Sequence, residues 1–280
     1  MMKTRLPLMG GVVITAICVV LFSTSALRAS TVYYVGDNPA KDAPLRNHIS
    51  ADLGHAVVAV TGAGGSFADA QAQGADVIVI SGSIGSSSAT GKGYHTSTIP
   101  ILSFEPAAYD NFGWTSVGSG DYMDSDPGMD TIHIEDASHP ITSGFSIGNL
   151  TVLVPTSLKR FGFATPGPDA DILATCVGTG KGAGKPNIFV YEPGDSLVRP
   201  TEDDPSVSVA KARYIGFFLD YYDGTSPNNL LTEMNADGVQ LFDQALGYAL
   251  AKPVPEPSTL LLLGLGLLPL LARRPRRRKT

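Results

Sequence analysis

Cysteine, basic charge, metal-type histidine spacing and long apolar runs are all scarce in this chain of 280 residues. There are two cysteines, Cys18 and Cys176, and Cys18 lies in an apolar leader. One remaining thiol cannot form an internal disulfide, so the core must be held by burial alone. Cys176 falls in the apolar run 171–177, which reads as a strand, and lacks a neighbouring His or Asn signature; it is expected to be a buried structural thiol. Between residues 30 and 252, 11 Lys plus Arg face 25 Asp plus Glu, a formal charge of −14. That excess repels phosphate backbones and excludes a nucleic-acid partner. Five histidines (His48, His55, His95, His133 and His139) offer no His-Glu-x-x-His pair, so no metal and no cofactor is expected. The glycine-rich stretches 62–65 and 178–184 lack the Gly-x-x-x-x-Gly-Lys-Ser/Thr order of a phosphate-binding loop.

What is present begins with the two ends. Lys3 and Arg5 precede an apolar core, Leu6 to Phe22, followed by small residues with cleavage points after Ala26 or Ala29. This is a signal-peptide pattern, and it assigns residues 1–29 to export. At the other end, residues 253–280 place Pro255-Glu256-Pro257 before an apolar run from Thr259 to Ala272 and a basic cluster. Six of the last eight residues are Arg or Lys. A 14-residue helix would be only about 21 Å long against a bilayer core of about 30 Å, and Pro269 weakens it further. The basic end is expected to stay cytoplasmic and the domain outside.

That order resembles the PEP-CTERM sorting tail. The resemblance implies recognition by an exosortase-type transpeptidase acting near Pro255, Glu256 and Pro257. It also implies transient anchoring in the inner membrane of a Gram-negative cell, then a cell-surface or extracellular destination beside extracellular polysaccharide.

Residues 30–252 read as one domain. Short apolar runs alternate with helical patterns: strands at 31–35, 56–60, 76–80 and 99–104, and helices at 44–55 and 66–74. The segment 81–97 reads as a Ser/Gly-rich loop, and 121–130 as a solvated acidic loop. This βαβ rhythm predicts an α/β fold with a mostly parallel sheet and helices on both faces. Further strands are expected at 131–134, 150–154, 172–177, 187–191 and 214–219, some of them forming an antiparallel extension, and 232–250 is expected to be a closing helix.

The stretches 76–80, 99–102, 139–144 and 213–218 resemble the class I glutamine amidotransferase-like superfamily, which is flavodoxin-like and includes ThuA-like proteins. In that family a cysteine stands on the turn after a Pro-Ile-Leu strand and a later histidine activates it. Here Pro100-Ile-Leu-Ser-Phe104 leads to Glu105, and the closing segment 220–224 has no histidine. The resemblance therefore implies the fold without glutamine hydrolysis. Three readings follow: a non-catalytic surface module, a carbohydrate-active or other hydrolase with Glu105 as acid/base, or a small-ligand binding protein using the 81–88 loop. Asp37, Ser81, Ser83 and Asp220 are the ligand-binding candidates, because carboxyl ends of parallel strands are where open α/β sheets bind ligands.

Overall fold

In Thr31-Val-Tyr-Tyr-Val35 every residue is β-branched or aromatic, and four of the five are buried; it forms the strand β1 (Thr31–Val35) on which the sheet is built. The computed structural model describes residues 29–118, 120–124, 129–154, 160–198, 206–220 and 230–251. After β1 come α1 (Pro39–Asn47), which runs on as a π-turn through Asp52, β2 (Ala56–Val60), α2 (Phe67–Ala72) and β3 (Val77–Ile80). The one-turn helix α3 (Ser86–Ala89) and a 3₁₀ turn at Tyr94–Thr96 lead to β4 (Ile101–Ser103). The strands β5 (Tyr122–Asp124), β6 (Thr131–Ile134), β7 (Gly148–Thr151), β8 (Arg160–Ala164), β9 (Asp171–Cys176), β10 (Pro186–Tyr191), β11 (Tyr214–Gly216) and β12 (Leu219–Asp220) follow. The chain closes with α4 (Leu230–Glu233) and α5 (Ala236–Leu250).

Nine strands form one sheet in the order β2-β1-β3-β4-β11-β10-β9-β6-β7. Its first five strands are parallel, and their order repeats the 2-1-3-4-5 arrangement of flavodoxin-like folds. From β11 onward the neighbours are antiparallel, which is the expected extension. Each face is covered: Val32, Tyr34, Val77 and Val79 pack with Leu45 of α1, Ile49 of the π-turn after it, and Leu241 and Phe242 of α5. Tyr33, Val35, Ile78 and Ile80 pack on the opposite face with Ala70, Tyr94 and Trp114. The period-2 alternation within each strand thus feeds two separate cores.

A second sheet, β12-β8-β5, departs from the single sheet that the sequence predicts. The run 214–219 is not one strand: β11 joins the large sheet and β12 pairs with β8. The acidic segment is not wholly loop either, since Tyr122–Asp124 pairs with β8. The first helix starts five residues before its expected start at Pro44, because Pro39 suits a first helical position and the Asn38 side chain accepts from the Lys41 N–H at 3.2 Å. The 81–97 segment carries two short helical turns rather than loop alone. The apolar leader, residues 125–128 and the C-terminal tail with its apolar run lie outside the described residues. Among the described residues no helix is long and apolar enough to cross a membrane.

Candidate functional site

In a sheet of this order the crevice lies where the chain reverses, between the carboxyl ends of β1 and β3. The loops leaving these strands carry Gly36-Asp37-Asn38 and Ser81-Gly82-Ser83. Three of the sequence-selected residues do meet here: the Asp37 N–H donates to Ser83 Oγ at 3.0 Å, and Asp37 Oδ1 accepts from the Gly62 N–H at 2.8 Å. The common partner of Ser81 and Ser83 is one that sequence reasoning missed. Asp42, on α1 and 2% exposed, accepts from Ser81 Oγ at 2.7 Å, Ser83 Oγ at 2.8 Å, Tyr34 Oη at 3.2 Å and the Asn38 N–H at 3.3 Å. Its signal was present in the spacing, since Asp42, Leu45 and Ile49 share one helical stripe and a carboxylate on a buried stripe demands partners.

This hub fills the crevice with the protein's own groups. A Cβ on Gly36 would stand 2.3 Å from Asp42 Oδ2, so only glycine lets the strand end pass the carboxylate. On the β2 side of the hub, a cavity lined by Tyr34, Gly36, Asp42, Arg46 and Val60 measures about 110 Å³. That holds a few waters at about 30 Å³ each, against the roughly 300 Å³ or more of an ordinary small-molecule site. Burial, followed by the charge of Asp42, pushes the Tyr34 hydroxyl well above its ordinary range, so it stays a donor.

Glu105 stands at the end of β4, as the sequence placed it, but its geometry is that of a cap. The residue is 7% exposed, its carboxylate accepts from the Ala107 N–H at 3.1 Å, and its own N–H donates to Ser103 Oγ at 3.2 Å. It thereby closes the 3₁₀ turn Pro106–Ala108. Over that turn lies the second sheet: a Cβ on Gly162 in β8 would sit 3.3 Å from Pro106 Cγ. Asp220 pairs its backbone with Arg160 in that second sheet and so belongs to a different layer from Asp37 and Ser83.

Cys176 lies on β9 in the antiparallel half, 2% exposed, and burial pushes its thiol up to about 12. A neutral, buried thiol has neither the thiolate character nor the access of a nucleophile. His139, in the turn after β6, packs edge-on against Tyr248 at 4.6 Å, and burial lowers its pKa. Among the described residues no group of three or more His, Cys, Asp or Glu side chains is placed to hold a metal ion. The sorting residues Pro255, Glu256 and Pro257 fall outside the described residues.

Comparison with known proteins adds an address and a set of distant shapes. Residues 253–278 match the family described as the PEP-CTERM protein-sorting motif, which indicates an exported protein processed by an exosortase. No curated protein matches the chain. Among solved structures it is similar to a GMP synthase subunit from Thermoplasma acidophilum, at 14% identity over 79% of this chain and 94% of that one, with a TM-score of 0.48. It is also similar to PurLQS from Thermotoga maritima, at 13% identity over 79% of this chain and 99% of that one, with a TM-score of 0.40.

Proposed function

We propose that this is an exported cell-surface or extracellular-matrix protein whose tail is cut by an exosortase-type transpeptidase near Pro255 to Pro257, and whose domain is a non-catalytic amidotransferase-like module. In this reading residues 1–29 are a signal peptide, 30–252 the module and 253–280 the sorting tail. Extracellular polysaccharide is its proposed surrounding.

One observation carries the non-catalytic half: the position after β4 holds Glu105, with its carboxylate on the Ala107 N–H beneath a covering sheet. A carboxylate cannot replace a thiolate in acyl transfer, and general acid work needs a group in reach of substrate. The mature protein is expected to release no ammonia from glutamine, and wild type and Glu105→Gln are expected to behave alike on a panel of glycans. A glycan hydrolysed by wild type and spared by Glu105→Gln would replace this reading with the hydrolase one.

A further inference from the structure

We propose that the amino edge of the parallel sheet is the face this domain turns toward the bilayer while its tail is in place, so that the carboxyl edge with Asp37 and Ser83 looks outward. This rests on the sorting reading of residues 253–280, and the test below separates the two.

Both ends of the described chain leave from that edge. Thr31 opens β1, and its N–H donates to Asp76 Oδ2 at 2.8 Å while the Asp76 N–H returns to the Thr31 carbonyl at 2.8 Å. Asp76 in turn lines a groove of about 350 Å³ together with Pro100 before β4, Arg213 before β11 and Ala251 after α5. The starts of β1 and β11 are three strand spacings apart, about 14 Å.

The exit point of the tail is firmly held. Arg213 is 7% exposed, and its Nε and Nη2 meet the two carboxylate oxygens of Glu192 at 2.7 and 3.1 Å. Its Nη1 donates to the Tyr248 carbonyl and, at 3.1 Å, to the Ala251 carbonyl. The guanidinium stacks 3.7 Å above the Tyr248 ring, whose hydroxyl closes the circle on Glu192 Oε1 at 2.7 Å. The end of the last helix is therefore bolted to the start of β11 by two carbonyl bonds and a cation–π contact from Arg213, whose guanidinium a bidentate ion pair to Glu192 holds in place.

Tether length turns this into an orientation. Only residues 252–258 separate Ala251 from the apolar run that starts at Thr259. Seven residues reach at most about 25 Å. A domain of this size has a radius of gyration of roughly 17 Å and a diameter of roughly 44 Å. To lay the carboxyl edge on the bilayer, Ala251 would have to stand about a full diameter away, beyond the tether. Before signal cleavage, residues 23–30 form a second short tether at the same edge.

The test uses the full chain with Cys18→Ser, since buried Cys176 does not label. A fluorophore is attached at Thr98→Cys, exposed in the amino-edge groove, or at Ala63→Cys, exposed in the loop after β2 at the carboxyl edge. Vesicles of phosphatidylethanolamine and phosphatidylglycerol carry a nitroxide headgroup quencher. Quenching is expected to be several-fold stronger at Thr98→Cys. Equal quenching, or more at Ala63→Cys, on vesicles that float with their protein overturns the orientation alone. Protein that does not float with the vesicles overturns the anchoring reading and the orientation with it.

Discussion

Asp42 and His48 show how single residues can join distant parts of the chain through hydrogen bonds. Asp42 takes four donors from β1, the loop after it and the loop after β3, so it holds the switch point together. Asp42→Ala would leave several of those donors buried and unpaired, and is expected to lower stability by about 3 kcal/mol, read as a lower urea midpoint at unchanged m value. His48 joins the other end: Nδ1 lies 2.8 Å from Asp52 and Nε2 2.7 Å from Asp243 on α5. Burial opposes its charge, yet hydrogen bonds to Asp243 and Asp52 outweigh burial and raise its pKa. Its contribution is therefore complete below the unfolded value of about 6.5 and is lost as pH rises through the higher folded value. His139 works in the opposite sense: burial lowers its pKa, so its contribution is lost as pH falls. His48→Gln is expected to flatten the decline of the urea midpoint above about pH 6.5, and an unchanged slope would remove His48 from the account. The Cys176 thiol, pushed up to about 12, is expected to resist a thiol reagent in the native protein and react once urea unfolds it.

The closing helix offers a test at the level of elements, through two glycines with opposite expected signs. A Cβ on Gly238, in the first turn of α5, would meet the Val152 carbonyl at 2.3 Å, whereas one on Gly247 would meet nothing within 4 Å. Gly→Ala inside a helix ordinarily stabilises by up to about 1 kcal/mol. Gly247→Ala should do so, while Gly238→Ala should destabilise by about 1–3 kcal/mol because backbone cannot yield as a side chain can. Thermal midpoints of the two variants check the pair. The elements best read from sequence are those whose signal is local: β1 and β3 as continuous apolar runs, and α2 from the Ser66 cap, which accepts the Asp69 N–H at 3.1 Å. Those missed depend on distant pairing. β5 sits inside an acidic run and β8 has Gly162 at its centre; they pair with each other across about 40 residues, and β8 pairs with the still more distant β12. The same distance hid the covering of Glu105: its position on a strand end was legible, but the sheet above it was not.

At the scale of the molecule, the proposed sorting would leave an acidic domain held by its ends until the tail is cut. An acidic body at −14 carries a tail with six basic residues in its last eight positions, a separation the sequence displays in full. Four strands of the parallel half were legible because β1 to β4 with their intervening helical segments admit few topologies, whereas β11, more than 100 residues after β4, joins them only through distant pairing. The meeting of Asp37, Ser81 and Ser83 was legible as a place but not as a role, since the bonds from Ser81 and Ser83 to Asp42 form only when α1 is folded against β1 and β3. Sorting through the tail is the central claim, and intact-mass spectrometry of the chain recovered from the envelope of a host with an exosortase-type transpeptidase tests it directly. The expected wild-type product has lost the apolar run and basic cluster through a cut near Pro255 to Pro257, while Glu256→Ala keeps its C-terminus at Thr280. A wild-type chain that also ends at Thr280 in that host would contradict the account.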